Sequence, residues 1–129
     1  MKIRVLKKWI DALQGGEYKQ RYGNLGGIDF DGNNGILEET FCGFGVLTDL
    51  YIKEKNLVWD KSQKGTYWFS GLSNQPPRKV LDWIGIKNED IVDKIISLND
   101  GDKYSFKKLG NYLKNQMKDK KSLLYKRAK

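Results

Sequence analysis

One short polar and aromatic run contains the residues of this chain whose types and spacing best suit binding chemistry. It combines two cations and an amide with two aromatic rings, in the order Tyr18, Lys19, Gln20, Arg21 and Tyr22. Arginine offers a planar fork for phosphate, lysine offers a point charge, and an aromatic face can stack on a base. We therefore predict a site for a phosphate-bearing nucleotide, with Trp59 as a further stacking ring. The alternative is that the tyrosines pack on the core while the cations are solvated, as surface charges usually are.

Asp49 is the acidic residue that supports this predicted site. It stands in a segment that is otherwise almost entirely apolar, and a buried carboxylate needs a cationic or hydrogen-bonding partner. We expect Asp49 to pair with Lys19 or Arg21 and to hold the cluster in place. The alternative is an exposed carboxylate on the one wet stripe of the helix.

Residues 29–36 resemble the first eight positions of a calcium-binding EF-hand loop. Such a loop needs oxygen ligands at alternating positions and a bidentate carboxylate at the twelfth position. The twelfth position is Thr40, which cannot chelate, and Glu39 stands one place early. We therefore favour a plain turn over calcium and predict no metal site.

The absence of histidine and the single cysteine, Cys42, remove whole classes of function. Without imidazole there is no histidine acid–base catalysis, no serine–histidine or cysteine–histidine dyad, and no usual zinc or copper site. No paired arrangement indicates catalysis by carboxylates, lysine or tyrosine either. We predict a protein that is not an enzyme, carries no cofactor and acts by binding.

A lone cysteine cannot form an intramolecular disulfide, which fits a reducing cytoplasm. The chain has no run of about 18 apolar residues, so we expect no membrane span. The first eight residues carry charges but no continuous apolar stretch behind them, so they do not predict a signal peptide. We expect a cytoplasmic protein.

The net charge of +8 is unevenly distributed along the sequence: residues 114–129 carry +6, and residues 1–113 carry +2. We predict a globular domain over residues 1–117 followed by a basic tail over residues 118–129. The tail could bind nucleic acid phosphates without sequence preference. The alternative is a solvated, partly frayed helix end.

The elements that must position these residues follow from hydrophobic periodicity and from turn and cap signals. We predict a compact single-domain α+β fold with four or five helices around a buried central helix and a small β-hairpin. Residues 15–36 are rich in glycine and turn residues, and form either a long loop or short strands. The predicted elements are helices at 3–14, 39–54, after Pro76-Pro77 up to Gly85, from Asn88, and from Ser105 to Met117, a turn at 99–102, and a hairpin of strands 57–60 and 66–69.

Four aromatic rings concentrate on this hairpin, at Trp59, Tyr67, Trp68 and Phe69. Strand alternation places Tyr67 and Phe69 on one face and Trp68 on the other. One set should enter the core, and the other is either covered as well or forms a stacking platform or protein interface.

The chain resembles a family of small accessory proteins from tailed-phage genomes. The resemblance rests on four groups of residues: Trp9-Ile10-Asp11-Ala12-Leu13 with Tyr18-Lys19-Gln20, Phe41-Cys42 with Gly45-Val46-Leu47 and Asp49-Leu50-Tyr51, Pro76-Pro77 with Trp83-Ile84-Gly85-Ile86, and Leu98-Asn99-Asp100 with Ser105-Phe106. It implies expression in a host bacterial cytoplasm and implies no chemistry or active site.

Small phage accessory proteins often counter host defence, and this analogy yields three hypotheses. The first is sequestration of a phosphate-bearing (cyclic) nucleotide signal at the predicted site. The second is an inhibitor that docks on a host protein through the hairpin aromatics or the tail. The third is non-specific nucleic-acid binding through the tail. A homo-oligomer with sites between subunits is compatible with the first hypothesis.

Overall fold

The computed structural model describes residues 2–31, 36–119, 122 and 125, and the described part has an α+β fold. The predicted fold class is therefore confirmed. The described residues form a mixed five-stranded sheet and five helices. The elements in chain order are α1 (Ile3–Gln14), β1 (Lys19–Gln20), β2 (Gly26–Asp31), β3 (Ile36–Phe41), α2 (Gly43–Glu54), β4 (Asp60–Lys61), β5 (Thr66–Trp68), α3 (Arg78–Ile84), α4 (Glu89–Asp100) and α5 (Phe106–Lys118).

The sheet has the strand order β1-β3-β2-β5-β4. Only β1 runs parallel to its neighbour, with Lys19 opposite Thr40, and the other described pairs are antiparallel. The glycine-rich segment at 15–36 therefore contains short strands, which is one of the two predicted alternatives. The predicted hairpin is present as β4 and β5, although its first strand begins at Asp60 rather than at residue 57.

The central helix α2 begins at Gly43, so the predicted helix over 39–54 is wrong at its start. Thr40 and Phe41 instead pair in register with both β1 and β2. β-Branched and aromatic side chains suit such pairing, and strand partners distant in sequence decide the outcome. Cys42 then caps the helix, because its Sγ accepts a hydrogen bond from the Gly45 backbone nitrogen at 3.3 Å.

The body of α2 is buried, as its apolar composition predicts. Helix α1 covers one side of it through the amphipathic stripe that includes Trp9 and Leu13. The Trp9 ring stacks on Phe44 with a centroid distance of 5.3 Å, and its Nε1 donates to the Gly43 carbonyl at 2.9 Å. Both contacts fix α1 against the start of α2.

Local cap signals set the ends of the three C-terminal helices. Gly85 ends α3 with a left-handed φ of 85°, which glycine adopts without strain. The side chains of Asn88 and Ser105 accept hydrogen bonds at the starts of α4 and α5. The predicted turn at 99–102 is wrong at its start, because Asn99 and Asp100 form the last turn of α4.

Asn99 is buried and connects three parts of the chain. Its Oδ1 accepts hydrogen bonds from Gln20 Nε2 at 2.9 Å and from the Gly43 nitrogen at 3.1 Å. Its Nδ2 donates to the Arg21 carbonyl at 3.1 Å. This amide therefore positions β1 relative to α2 and α4.

At Gly45, helix α2 lies very close to the backbone of Leu25. A Cβ at Gly45 would lie 1.7 Å from the Leu25 carbonyl oxygen, whereas a Cβ at Gly43 would lie 2.6 Å from Leu109 Cδ2, the end of a flexible side chain. The Leu25 backbone cannot move away as the Leu109 side chain can. A Cβ at Gly45 would therefore push α2 away from Leu25, whereas a Cβ at Gly43 would only displace the end of the Leu109 side chain.

We predict that Gly45→Ala lowers the free energy of unfolding by about 3 kcal/mol, because overpacking exceeds the gain in helix propensity. Gly43→Ala, the matched control in the same helix, should change it by less than about 1 kcal/mol. Urea denaturation followed by circular dichroism measures both. Equal effects of the two substitutions would contradict the tight backbone contact at Gly45.

Candidate functional site

A groove of about 580 Å³ opens between the sheet and the C-terminal half of α2. One wall comes from β1, β3 and the residues before β1, and the other from α2 and the segment that leads into β4. The side chains that line it are Glu17, Tyr18, Lys19, Glu38, Glu39, Phe41, Asp49, Ile52, Lys53, Leu57, Val58, Trp59 and Lys61.

Asp49 holds the two walls together from the floor of this groove. Its side chain is only 8 % exposed and makes three short polar contacts. Tyr18 Oη donates to Asp49 Oδ2 at 2.5 Å, and Lys53 Nζ lies 2.9 Å from the same oxygen. Trp59 Nε1 donates to Asp49 Oδ1 at 2.9 Å. One carboxylate thus joins the start of β1, helix α2 and the segment before β4.

This network affects the protonation of two of its members, Tyr18 and Lys53. Burial, and then the hydrogen bond to Asp49, raise the pKa of Tyr18 from 10.0 to about 12. The hydrogen bond to Asp49 likewise raises the pKa of Lys53 above its ordinary value. The phenol therefore stays protonated and the amine stays charged, so neither is set up to exchange a proton with a ligand.

The expected pairing of Asp49 with Lys19 or Arg21 is wrong. Lys53 takes that place because it lies one helical turn away, at the i,i+4 spacing that favours an ion pair. Lys19 instead binds Glu38, with Nζ 2.6 Å from Oε1. The alternative of an exposed Asp49 is wrong as well, since the residue is buried.

The structure places only part of the predicted 18–22 cluster in the groove. Tyr18 and Lys19 line it together with Trp59. Gln20 does not, because its Nε2 is bound by Asn99 and by the Tyr104 carbonyl at 2.6 Å.

The other two members of the cluster also lie outside the groove lining. Tyr22 is partly exposed, with Lys103 Nζ 4.1 Å from its ring centroid. Arg21 lies over Gly27, and its side chain is only 16 % exposed. Its Nη2 is 3.7 Å from Asp29 Oδ1, while Nε and Nη1 are buried without a described hydrogen-bond partner.

The charges that line the groove are mixed, with four carboxylates and three lysines. Two of the lysines, Lys19 and Lys53, are already in ion pairs. Glu39 Oε2 accepts a hydrogen bond from Tyr67 Oη at 2.6 Å, and Lys61 Nζ lies 4.9 Å from the Tyr67 ring centroid. The groove therefore offers no excess of positive charge.

An apolar lip borders the groove on the α2–β4 side. Val58 is 79 % exposed and Leu57 is also exposed, and both line the groove. Leu37 and Ile28 are exposed on the neighbouring strands, where Ile28 is the cross-strand partner of Glu39. These exposed side chains provide apolar surface that a partner could bury.

The hairpin aromatics divide as strand alternation predicts. Tyr67 and Phe69 are buried, whereas Trp68 is partly exposed on the other face. Trp59 is buried beside Phe41, with ring centroids 6.0 Å apart. Little of the Trp59 face is therefore open for stacking.

Sequence reasoning missed several residues of the groove. Lys53 carried a usable signal, its i,i+4 spacing from Asp49. Glu39 is the first residue of the predicted helix over 39–54 and Glu38 directly precedes it, so the sequence does not indicate their position on β3. Leu57 and Val58 were interpreted as strand, and an exposed position just before a strand has no sequence signature.

Among the described residues, no three His, Cys, Asp or Glu side chains are grouped so that they could hold a metal ion. Residues 32–35 of the segment that resembles an EF-hand loop lie outside the described residues. Most of the basic tail after Asp119 lies outside them as well. Thr40 Oγ1 donates to Asp29 Oδ2 at 2.8 Å, so these two positions of the loop bind each other. No described helix has the length and apolar character that crossing a membrane requires.

A model of one protein family, described as Domain of unknown function (DUF8296), matches residues 1–118 of the chain. The match includes the groove and the five helices that the structure describes. No curated protein and no solved structure matches the chain significantly.

We predict that Asp49→Asn lowers the free energy of unfolding by about 2–3 kcal/mol. The amide retains one acceptor oxygen where the carboxylate has two, and the substitution removes the ion pair with Lys53. Asp82→Asn is the matched control, because Asp82 is half exposed and pairs with Arg78 at the surface. It should cost less than about 0.5 kcal/mol. Chemical denaturation measures both, and equal losses would mean that the Asp49 network contributes no more than a surface pair.

We predict that Tyr18→Phe costs about 1.5 kcal/mol at pH 8, through loss of the hydrogen bond to Asp49. The raised folded-state pKa of Tyr18, about 12, makes this contribution fully present below pH 10. It declines between pH 10 and pH 12, because the unfolded tyrosine ionises first. The stability difference between wild type and Tyr18→Phe should therefore shrink over that range. Tyr22→Phe, at an exposed ring, should show no such difference at any pH.

Proposed function

We propose that this chain, which belongs to the DUF8296 family, acts by binding a segment of another protein in the groove, without catalysis. The segment would present an apolar side chain next to a basic one. The resemblance to tailed-phage accessory proteins suggests that the partner is a host bacterial protein and that binding inhibits it.

The charge of the groove is the observation that carries this proposal. Carboxylates outnumber lysines there, and Lys19 and Lys53 are already neutralised by Glu38 and Asp49. A phosphate entering the groove would have to displace one of these carboxylates or lie beside both. A partner segment that brings a basic residue gains instead from the excess acid.

The apolar lip supplies the second part of the argument. Exposed apolar side chains beside a concave surface gain free energy when a partner covers them, at about 25 cal/mol per Å² of apolar area. Val58 and Leu57 offer such area directly at the groove edge. The volume of about 580 Å³ lies within the range that binding pockets usually have.

Several features favour binding over catalysis. Burial raises the pKa of the Cys42 thiol to about 12, which keeps it protonated and unreactive. Tyr18 and Lys53 are likewise held in their resting protonation states. The groove thus provides shape and fixed charges rather than a group that transfers a proton or attacks a substrate.

Nucleotide sequestration is the second candidate, because Tyr18, Lys19 and Trp59 do line one groove. In this candidate function, Lys19 must break its ion pair with Glu38 in order to bind phosphate. A thermal-shift screen against linear and cyclic nucleotides tests it, since a ligand that binds only the folded state raises the melting temperature. A shift that disappears in Lys19→Ala would replace the protein-binding proposal with this one.

We predict that the Val58→Asp variant, immobilised and exposed to bacterial lysate, captures much less of the host protein than wild type does. The affinity for that protein should fall about tenfold, because the substitution places a charge in a buried apolar contact of the interface. Val58 is 79 % exposed, so the substitution should leave the fold intact. The Ser97→Asp variant adds the same charge at an exposed position of α4 and should bind the partner like wild type.

A partner that is identified by mass spectrometry, purified and titrated against all three proteins gives the affinities directly. Equal binding by Val58→Asp and wild type would place the interface elsewhere and contradict docking in the groove. A partner lost equally by Val58→Asp and Ser97→Asp would indicate a general charge effect and would contradict it too.

A further inference from the structure

Helix α1 packs against α5, the last helix of the described residues. Gln14 Nε2, in the last turn of α1, donates to the Lys107 carbonyl at 2.8 Å and to Asn111 Oδ1 at 3.0 Å, both in the first turns of α5. Helix α1 also packs more closely on α5 than on any other helix. The end of α1 thus meets the start of α5, and the two helices run antiparallel.

This packing brings basic residues of both helices onto one surface. Residues 1–14 hold four basic residues and one acidic residue, and residues 106–118 hold four basic residues and no acidic one. Residues 15–105 hold eleven basic and fourteen acidic residues. The two terminal helices are therefore positive, while the sequence between them, which includes the groove, is net negative.

Three lysines of α5 follow a single exposed stripe at helical spacing. Lys107, Lys114 and Lys118 are exposed and share this stripe with Asn111, whose side chain faces Gln14 of α1. The stripe spans about 16 Å at a rise of 1.5 Å per residue. Because it passes beside α1, its lysines border the seam between the two helices.

Helix α1 adds a lysine to the same seam. Lys7 lies two turns before Gln14, on the same side of α1. Since the helices are antiparallel, we expect Lys7 near the level of Lys118, which lies two turns after Asn111. Asp11 lies between Lys7 and Gln14 on the same side of α1, so one carboxylate accompanies this lysine.

The lysines of this surface outnumber its carboxylate, Asp11, and form no ion pair among the described residues. None of Lys7, Lys107, Lys114 and Lys118 forms an ion pair with a described carboxylate, whereas Arg4 and Lys8 share Glu54 at 3.6 Å each. Like charges on neighbouring helical turns destabilise the fold slightly. Such an arrangement is typical of a surface whose counterion is a bound polyanion.

We infer that the α1–α5 surface binds the phosphate backbone of double-stranded nucleic acid without sequence preference. The amides of Asn111 and Asn115 lie among the lysines and can donate to phosphate and sugar oxygens. An anionic membrane would also attract the lysines, but an interfacial helix needs large apolar side chains to insert. Of the exposed large apolar residues in the described chain, only Ile3 lies on these helices.

The test uses the full chain and a fluorescein-labelled 20-base-pair DNA duplex of arbitrary sequence, followed by fluorescence anisotropy from 50 to 300 mM NaCl. The test protein is a double variant that carries both Lys107→Gln and Lys114→Gln. Each lost phosphate contact should reduce the slope of log K against log salt by about 0.9, so the double variant should lose about 1.8. Its affinity at 100 mM NaCl should fall about tenfold or more.

The matched control is Lys64→Gln with Lys94→Gln, two exposed lysines on the hairpin and on α4. It lowers the net charge by the same amount and should change the affinity less than about twofold, because only contacting charges release counterions. The basic residues after Lys118 are identical in all three proteins, so their contribution cancels in the comparison.

Equal losses in the two double variants would show an effect of net charge alone and overturn the inference. So would the absence of DNA binding at 50 mM NaCl. Vesicles with 30 mol% phosphatidylserine form the second arm, and binding to vesicles but not to DNA would assign the surface to membranes instead. The melting temperature of each variant confirms that it is folded. The groove variant Val58→Asp should bind DNA like wild type, which separates this inference from the proposed function.

Discussion

The fold depends on the compensation of one buried negative charge, the Asp49 carboxylate. Removing a carboxylate from water costs several kcal/mol, and only well-placed donors and a cation offset that cost. Tyr18, Lys53 and Trp59 provide them, and they come from three separate parts of the chain. The requirement to satisfy one side chain therefore fixes the start of β1 and the segment before β4 relative to α2. The groove is the space that remains above this junction.

A second buried polar residue, Asn99, fixes the other end of the same short strand. Tyr18 and Gln20 point toward the helices and are bound by Asp49 and Asn99 respectively. Lys19 and Arg21, at the alternate positions, bind carboxylates of the sheet instead. The 18–22 cluster has the composition of a ligand site, but most of its side chains make contacts that hold the two-residue strand β1 in place. The same residue types serve both purposes, and composition alone cannot separate them.

The sequence predicts best those elements whose signals are local. Helices α3 and α5 begin directly after Pro77 and Ser105, and a glycine ends α3, because such signals depend on residues a few positions apart. Short strands are only one of two predicted alternatives for residues 15–36, because Gly26 and Gly27 give no alternating pattern. Strand β3 overlaps the predicted helix over 39–54, because strand pairing depends on partners distant in sequence. The partner of Asp49 was missed for a different reason. Lys53 satisfied a known local spacing, but the prediction looked for a partner in the 18–22 cluster.

Net charge along the sequence and charge on the surface are different quantities, and chain topology connects them. By sequence the positive charge lies mainly in residues 114–129, yet the contact of Gln14 with α5 places the basic helix α1 beside the basic helix α5. The middle of the chain is left with excess acid, which includes Glu38 and Glu39 in the groove. An anion approaching the protein is therefore attracted toward the terminal helices and not toward the groove. Because the two surfaces differ in sign and are built on different elements, occupancy of one need not compete with occupancy of the other.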